Sequence, residues 1–178
     1  MDIDPEAEVV EEDDFDDDDD YPEDATEDDV DFVLALYHED EQPVVTQLEY
    51  DLANDLDALI GELRRIPGEA GTIGMVSIAQ EVFALIRVRG KNVQVYLSDA
   101  VAANDWPIAR DIVDFIGEEV PDEDDESMPV GDAGMLADAG LPEFELEAIA
   151  NDYDTDSSLL LQRIAKRIRF GPQFAQVS

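Results

Sequence analysis

The sequence predicts an α+β fold: a mainly antiparallel sheet of about five strands with two helices, then a small C-terminal helical segment, all preceded by a disordered acidic tail. Three observations predict it. Apolar runs of strand length recur between Phe32 and Leu97, some in strict alternation. Apolar stripes with a 3.6-residue period fall between and after those runs. Residues 1–31 are dense in carboxylates and offer almost nothing to bury.

In that first segment Asp16, Asp17, Asp18, Asp19 and Asp20 are consecutive, and no Lys or Arg precedes Arg64. Phe15 and Tyr21 are almost the only large apolar groups there. Like charges at this density repel, so disorder is the expected state. The segment reads either as a flexible arm that captures basic surfaces or as a plain solubility tail.

Residues 32–117 read as the α+β domain. Phe32-Val33-Leu34-Ala35-Leu36-Tyr37 is apolar on both faces, as a central strand is, and residues 44–48 return antiparallel after a polar turn. Leu52, Leu56, Leu59, Ile60, Leu63 and Ile66 form one helical stripe, with Asp51 as its N-cap and Pro67-Gly68 as its stop. Three strands follow: residues 73–78, then 82–88 with Val82, Ala84, Ile86 and Val88 on one face, then Val93, Val95 and Leu97 in alternation. Ala79-Gln80 and Arg89-Gly90-Lys91-Asn92 make the turns, Gly90 supplying the positive-φ option. A second helix begins at Pro107, carries Ile108, Ile112, Phe115 and Ile116 on one side, and stops at Gly117.

Residues 118–130 read as an acidic linker with Pro at its edges. Residues 131–170 read as a helical subdomain: a turn around Met135-Leu136, a helix from about Pro142 and a last helix from about Ser157. Residues 171–178 are left as a tail. In the last helix Leu160, Leu161, Ile164, Ala165 and Ile168 make the apolar side. Arg163, Lys166, Arg167 and Arg169 gather near its end, where cations suit the helix dipole. An intramolecular match to surrounding carboxylates is the expected use of these cations.

Charge decides which function classes remain. With 48 Asp and Glu against 10 Lys and Arg, the formal net charge is -38. Such a surface repels nucleic-acid phosphates and anionic lipid, and favours a basic protein partner. Direct nucleic-acid binding and membrane association are therefore not expected. The 178 residues contain no cysteine, which removes disulfides, thiol catalysis and thiolate zinc sites. An acidic start with no apolar core after it, and no apolar run of membrane length, point to a cytoplasmic protein.

Catalytic and metal motifs fail on spacing. Asp152, Asp154 and Asp156 occupy the first, third and fifth places of a calcium loop, but Ser157 stands where Gly is needed and Arg163 where a bidentate Glu is needed. Gly68, Gly71 and Gly74 run from a helix into a strand, the reverse of a phosphate-cradling loop. His38 is the only histidine and reads as an exposed turn residue. Ser98-Asp99 lacks the flanking glycines of a nucleophile elbow, and Asp99 reads as the cap of the turn at 100–103. Trp106, beside Pro107 at a strand-to-helix corner, is a core anchor or an interface hot spot. No cofactor is expected. The candidate interaction residues are Trp106, Ser98, Asp99 and the run Asp16 to Asp20.

The blocks Val82-Phe83-Ala84-Leu85-Ile86-Arg87-Val88 and Val95-Tyr96-Leu97-Ser98-Asp99-Ala100, the alanine-rich turn and Trp106-Pro107 after them resemble a small actinobacterial family, the tRNA adenosine deaminase-associated proteins. Gly131-Asp132 and Met135-Leu136-Ala137-Asp138-Ala139-Gly140 resemble its second block. The resemblance covers roughly residues 31–170 and leaves the longer acidic tail unaccounted for. It implies company with a tRNA-editing deaminase and carries no catalytic residues over. The chain cannot itself be that deaminase, whose zinc needs a Pro-Cys-x-x-Cys element. The expected function is a non-catalytic acidic binding or regulatory protein associating with a tRNA adenosine deaminase. The alternative is a nucleic-acid mimic that sequesters another basic partner, with an undescribed carboxylate enzyme last.

Overall fold

A computed structural model describes residues 21–66, 68 and 71–177. Six strands form one antiparallel sheet: β1 (Val30–Glu39), β2 (Gln42–Gln47), β3 (Thr72–Ile78), β4 (Val82–Arg89), β5 (Asn92–Leu97) and β6 (Val130–Gly131). Their spatial order is β2-β1-β3-β4-β5-β6. Among the described residues five α-helices accompany them: α1 (Leu56–Arg65), α2 (Pro107–Phe115), α3 (Glu143–Ala150), α4 (Ser157–Arg167) and α5 (Gly171–Val177). The α+β class read from the sequence holds, with one strand more than expected. Two residues carry no period, so β6 leaves no pattern to find; it appears only through its pairing with Tyr96 and Leu97.

Alternation along each strand divides the buried side chains between two faces. Val33 and Ala35 of β1 and Val82, Ala84, Ile86 and Val88 of β4 pack beneath α1 and α2. Phe32, Leu34 and Leu36 of β1 and Phe83 and Leu85 of β4 face the other way, under α3, α4 and α5. The sheet is therefore the middle of three layers. Burial on both faces explains why β1, β3 and β4 read as nearly continuous apolar runs. Residues 131–170 do not stand apart from the sheet: Leu160, Leu161 and Ile164 of α4 are buried against it, each contributing about 1.5–3 kcal/mol of transfer free energy.

A polar latch fixes where α4 begins. Ser77, fully buried on β3, donates to the Asp31 carboxylate at 2.7 Å, and its oxygen lies 2.6 Å from the Ser157 hydroxyl. Ala79 and Gln80 in the β3–β4 turn both adopt a φ of 55°, unusual for side-chain-bearing residues. The latch holds them there. The Gln80 amide donates to Asp31 at 2.8 Å, its carbonyl accepts from Ser157 N at 3.2 Å, and its side chain accepts from the Ser158 hydroxyl at 2.6 Å.

Several boundaries differ from the sequence reading. Order begins before Phe32: Ala25 is buried, and its backbone exchanges hydrogen bonds of 2.7 and 2.9 Å with the Asn54 side chain. That anchor brings residues 21–31 onto the fold, while Asp16 to Asp20 lie outside the described residues. Asp51 does not cap the first helix. Residues Tyr50–Asn54 form a separate 3-10 turn, and Asp55, extended at φ -152°, accepts from Ala58 N and caps α1 instead. Residues 171–177 are the helix α5 rather than a tail, because Phe174 inserts beside Phe32 with ring centroids 5.6 Å apart. The acidic stretch 118–130 is tied down at three points. Asn104 donates to Pro121 O, Ala100 N donates to Met128 O, and the Ser127 hydroxyl donates to Asp99, at 2.9, 2.8 and 2.7 Å.

Candidate interaction surfaces

The residues singled out from the sequence do not gather into one surface. Ser98 is buried at the end of β5, where its hydroxyl accepts from Phe83 N at 2.9 Å and its carbonyl accepts from the Tyr153 hydroxyl at 2.8 Å. Burial, and then the Asp99 charge, push the Tyr153 hydroxyl above its ordinary value, so it stays a donor. Asp99 caps the 3-10 turn Ala100–Asn104 by accepting from Val101 N at 3.0 Å, the role its position implies. Trp106 is partly buried, packs on the first-face core and immediately precedes α2. Ser98 and Asp99 join layers together. Ser98 is closed off, whereas Asp99 and Trp106 are both partly exposed, Trp106 at the corner before α2.

A different constellation lies between the start of α1 and α2. Asp55, Asp57, Asp111 and Asp114 surround a cleft of about 490 Å³, with Tyr21 and Phe115 beside them. The α2 spacing explains half of it: positions 111, 114 and 115 fall on one side of a helix. Asp111 is committed, accepting from the Tyr21 hydroxyl at 2.5 Å and from Leu56 N at 3.1 Å. Burial first, then that hydrogen bond, hold the Tyr21 proton well above the usual phenol range. Asp57 and Asp114 remain exposed, and Asp114 lies 3.6 Å from Arg110 within its own helix. Phe115, expected on the buried side of its helix, is instead 48% exposed. The site therefore presents carboxylates beside an exposed ring. Sequence reasoning missed it because acids are so common that their clustering carries no signal before folding.

One cleft on the second face of the sheet has a charged lining that is mainly cationic. Arg87, Arg167 and Arg169 line this cleft of about 660 Å³ together with Tyr37, His38, Asp138 and Phe170. Arg87 is buried on β4, on the strand face it shares with Phe83, Leu85 and the more exposed Arg89. It bonds Asp138 at 2.7 and 3.2 Å and Met135 O at 2.8 Å, while Arg89 reaches the same carboxylate at 3.4 Å. The Arg87 hydrogen bonds hold the Asp138 carboxyl below the ordinary range. His38 is half-buried rather than exposed, its ring 4.9 Å from that of Phe170. The basic run of α4 is partly matched within the chain, as expected. Arg163 pairs with Asp152 at 3.4 Å and Arg167 with Glu145. The first of these pairs also occupies the carboxylate that opens the failed calcium motif. Lys166 and Arg169 make no ion pair among the described residues.

Comparison with known proteins gives a consistent picture. The model of the Rv3753c-like tRNA adenosine deaminase-associated protein family matches residues 31–171. The protein Rv3753c of Mycobacterium tuberculosis is 34% identical over 119 residues, which cover 65% of this chain and 69% of that protein. No solved structure matches. No helix among the described residues is long and apolar enough to cross a membrane.

Proposed function

We infer the function from one premise: this chain belongs to the Rv3753c-like tRNA adenosine deaminase-associated protein family. The family is described by its association with a deaminase, not as the deaminase itself. The chain acts as a non-catalytic acidic partner that binds a tRNA adenosine deaminase and controls its access to tRNA. An enzyme that holds tRNA presents Lys and Arg to phosphate, and a surface of net charge -38 complements it.

The observation that carries this reading is the four-carboxylate cleft with Phe115 half exposed beside it. An Arg or Lys of the partner lays its aliphatic stem along the ring and turns its charged head to Asp57 and Asp114. The acidic stretch that holds Asp16 to Asp20 adds long-range attraction, raising the encounter rate most at low salt. Trp106 and the Ser98-Asp99 corner are secondary: Trp106 offers apolar contact, whereas Ser98 and Asp99 serve by shaping the surface around it.

Competition tests the reading. Adding tRNA to the preformed complex of this protein and the deaminase releases the acidic partner if both occupy the same basic surface. A stable ternary complex contradicts control of access. The charge also favours a second reading, a mimic of nucleic acid for some other basic protein. A mimic binds unrelated basic tRNA-handling proteins as tightly as it binds the deaminase, and the same assay reads this out.

A further inference from the structure

The arginine-lined cleft on the second face is unexplained by acidic complementarity. It collects three of the chain's ten basic residues, in a protein with 48 acidic ones. Its lining holds three guanidinium groups and the Asp138 carboxylate; Arg87 and Arg167 each meet a carboxylate, Asp138 and Glu145, whereas Arg169 meets none among the described residues. Two of those arginines also have structural tasks. Arg87 fastens the loop that follows β6, and Arg167 donates to Gly140 O at 3.3 Å besides pairing with Glu145.

Those tasks leave two features over. Arg87 is only 5% exposed, yet its Nε has no hydrogen-bond partner. A buried donor left unpaired is unfavourable, and native structures hold few of them. Arg169 makes no ion pair among the described residues and sits at φ 74°, a left-handed conformation that non-glycine residues adopt at a cost. A glycine at that helix end would be relaxed. The chain keeps a strained arginine at the cleft instead. Beside it, the His38 and Phe170 rings supply an apolar, stackable wall.

We propose that this cleft binds a small phosphate monoester of nucleotide size, with Arg167 and Arg169 on the phosphate, Arg87 supplying fixed positive charge from below, and the His38–Phe170 wall against the organic part. The volume suits such a ligand, and planar guanidinium groups match phosphate oxygens in pairs. A polymer of phosphates is disfavoured, since most of its charge would lie over the acidic remainder of the surface. A small dianion needs only the local field, because charges more than about 8 Å away are screened at physiological salt.

The test uses the full chain and titrates inorganic phosphate, ribose 5-phosphate, AMP and adenosine while backbone amide NMR shifts are followed. AMP and ribose 5-phosphate are expected to give saturable shifts centred on Tyr37, His38, Gly140 and Phe170. Equal binding of inorganic phosphate supports the site and assigns it to the free anion. Arg169→Gly removes the guanidinium while relaxing the backbone, so the fold is retained; binding is expected to weaken roughly tenfold or more. Absence of saturable shifts at millimolar probe, adenosine binding as tightly as AMP, or unchanged affinity in Arg169→Gly overturns the proposal.

Discussion

Arg87 on β4 and Asp138 in the loop after β6 meet in a two-pronged pair, with Nη1 to Oδ1 at 2.7 Å and Nη2 to Oδ2 at 3.2 Å. The same Nη1 reaches Met135 O at 2.8 Å. A guanidinium buried on β4, on the strand residue that pairs with Ile73, requires a counter-charge, and Asp138, 51 positions downstream, supplies it. The pair therefore clamps the second helical layer to the sheet.

Asp138→Asn is expected to lower stability by about 1.5–3 kcal/mol at neutral pH, the range for hydrogen bonds to a charged group. Because the folded-state pKa of Asp138 is lowered, its contribution is complete above the ordinary carboxylate value and is lost as pH falls through the folded value. Urea unfolding should show the gap between wild type and variant closing below about pH 4. A gap that persists undiminished to about pH 2 contradicts the assignment.

Tyr96 presents the reverse case. Its ring is buried beside β6, and its hydroxyl has no hydrogen-bond partner. Burial, then the Glu147 charge, push that hydroxyl above its ordinary value, so it stays neutral and unpaired. Tyr96→Phe removes an unsatisfied group without leaving a cavity, and stability should hold or rise by up to about 1 kcal/mol. A loss greater than that in thermal unfolding would show the hydroxyl to be bonded in solution.

Gly131 holds β6 in place through backbone geometry alone. Its φ is +120°, and a Cβ there would come within 2.4 Å of Val95 O and 2.8 Å of Tyr96 Cα. Gly131→Ala should cost about 1–3 kcal/mol and free the last strand. Hydrogen exchange at Leu97 reports the strand directly; unchanged protection there would contradict the predicted unpairing.

The parts of the fold that were legible in the sequence are those with a period. Val82, Ala84, Ile86 and Val88 share a face because strand side chains alternate, and α1 follows its stripe from Leu56 because helical neighbours recur every three or four residues. Elements too short for a period were invisible, as β6 was, and α5 depends on one residue, Phe174, finding Phe32 across the chain. Contacts distant in sequence were equally hidden. Ser77 and Ser157 are 80 positions apart, and nothing local marks either as half of a latch. The two clefts failed for opposite reasons. Acids are too frequent for Asp57 and Asp114 to stand out, whereas Arg87 does stand out in an apolar strand but gives no hint of Asp138 or Arg169. The turn at Ala79-Gln80 is legible as the break between two apolar runs, although its left-handed backbone runs against the preference of both residues.

The central claim is that this chain recognises a basic surface on a tRNA adenosine deaminase through the cleft at Asp57, Asp114 and Phe115. Calorimetric titration of the purified chain into the deaminase of the same organism, at low and at moderate salt, tests it most directly. The account predicts a stoichiometric complex that weakens as salt rises and weakens roughly tenfold or more in the double variant Asp57→Asn, Asp114→Asn. No complex at low salt, or an affinity indifferent to both salt and the two substitutions, would contradict it.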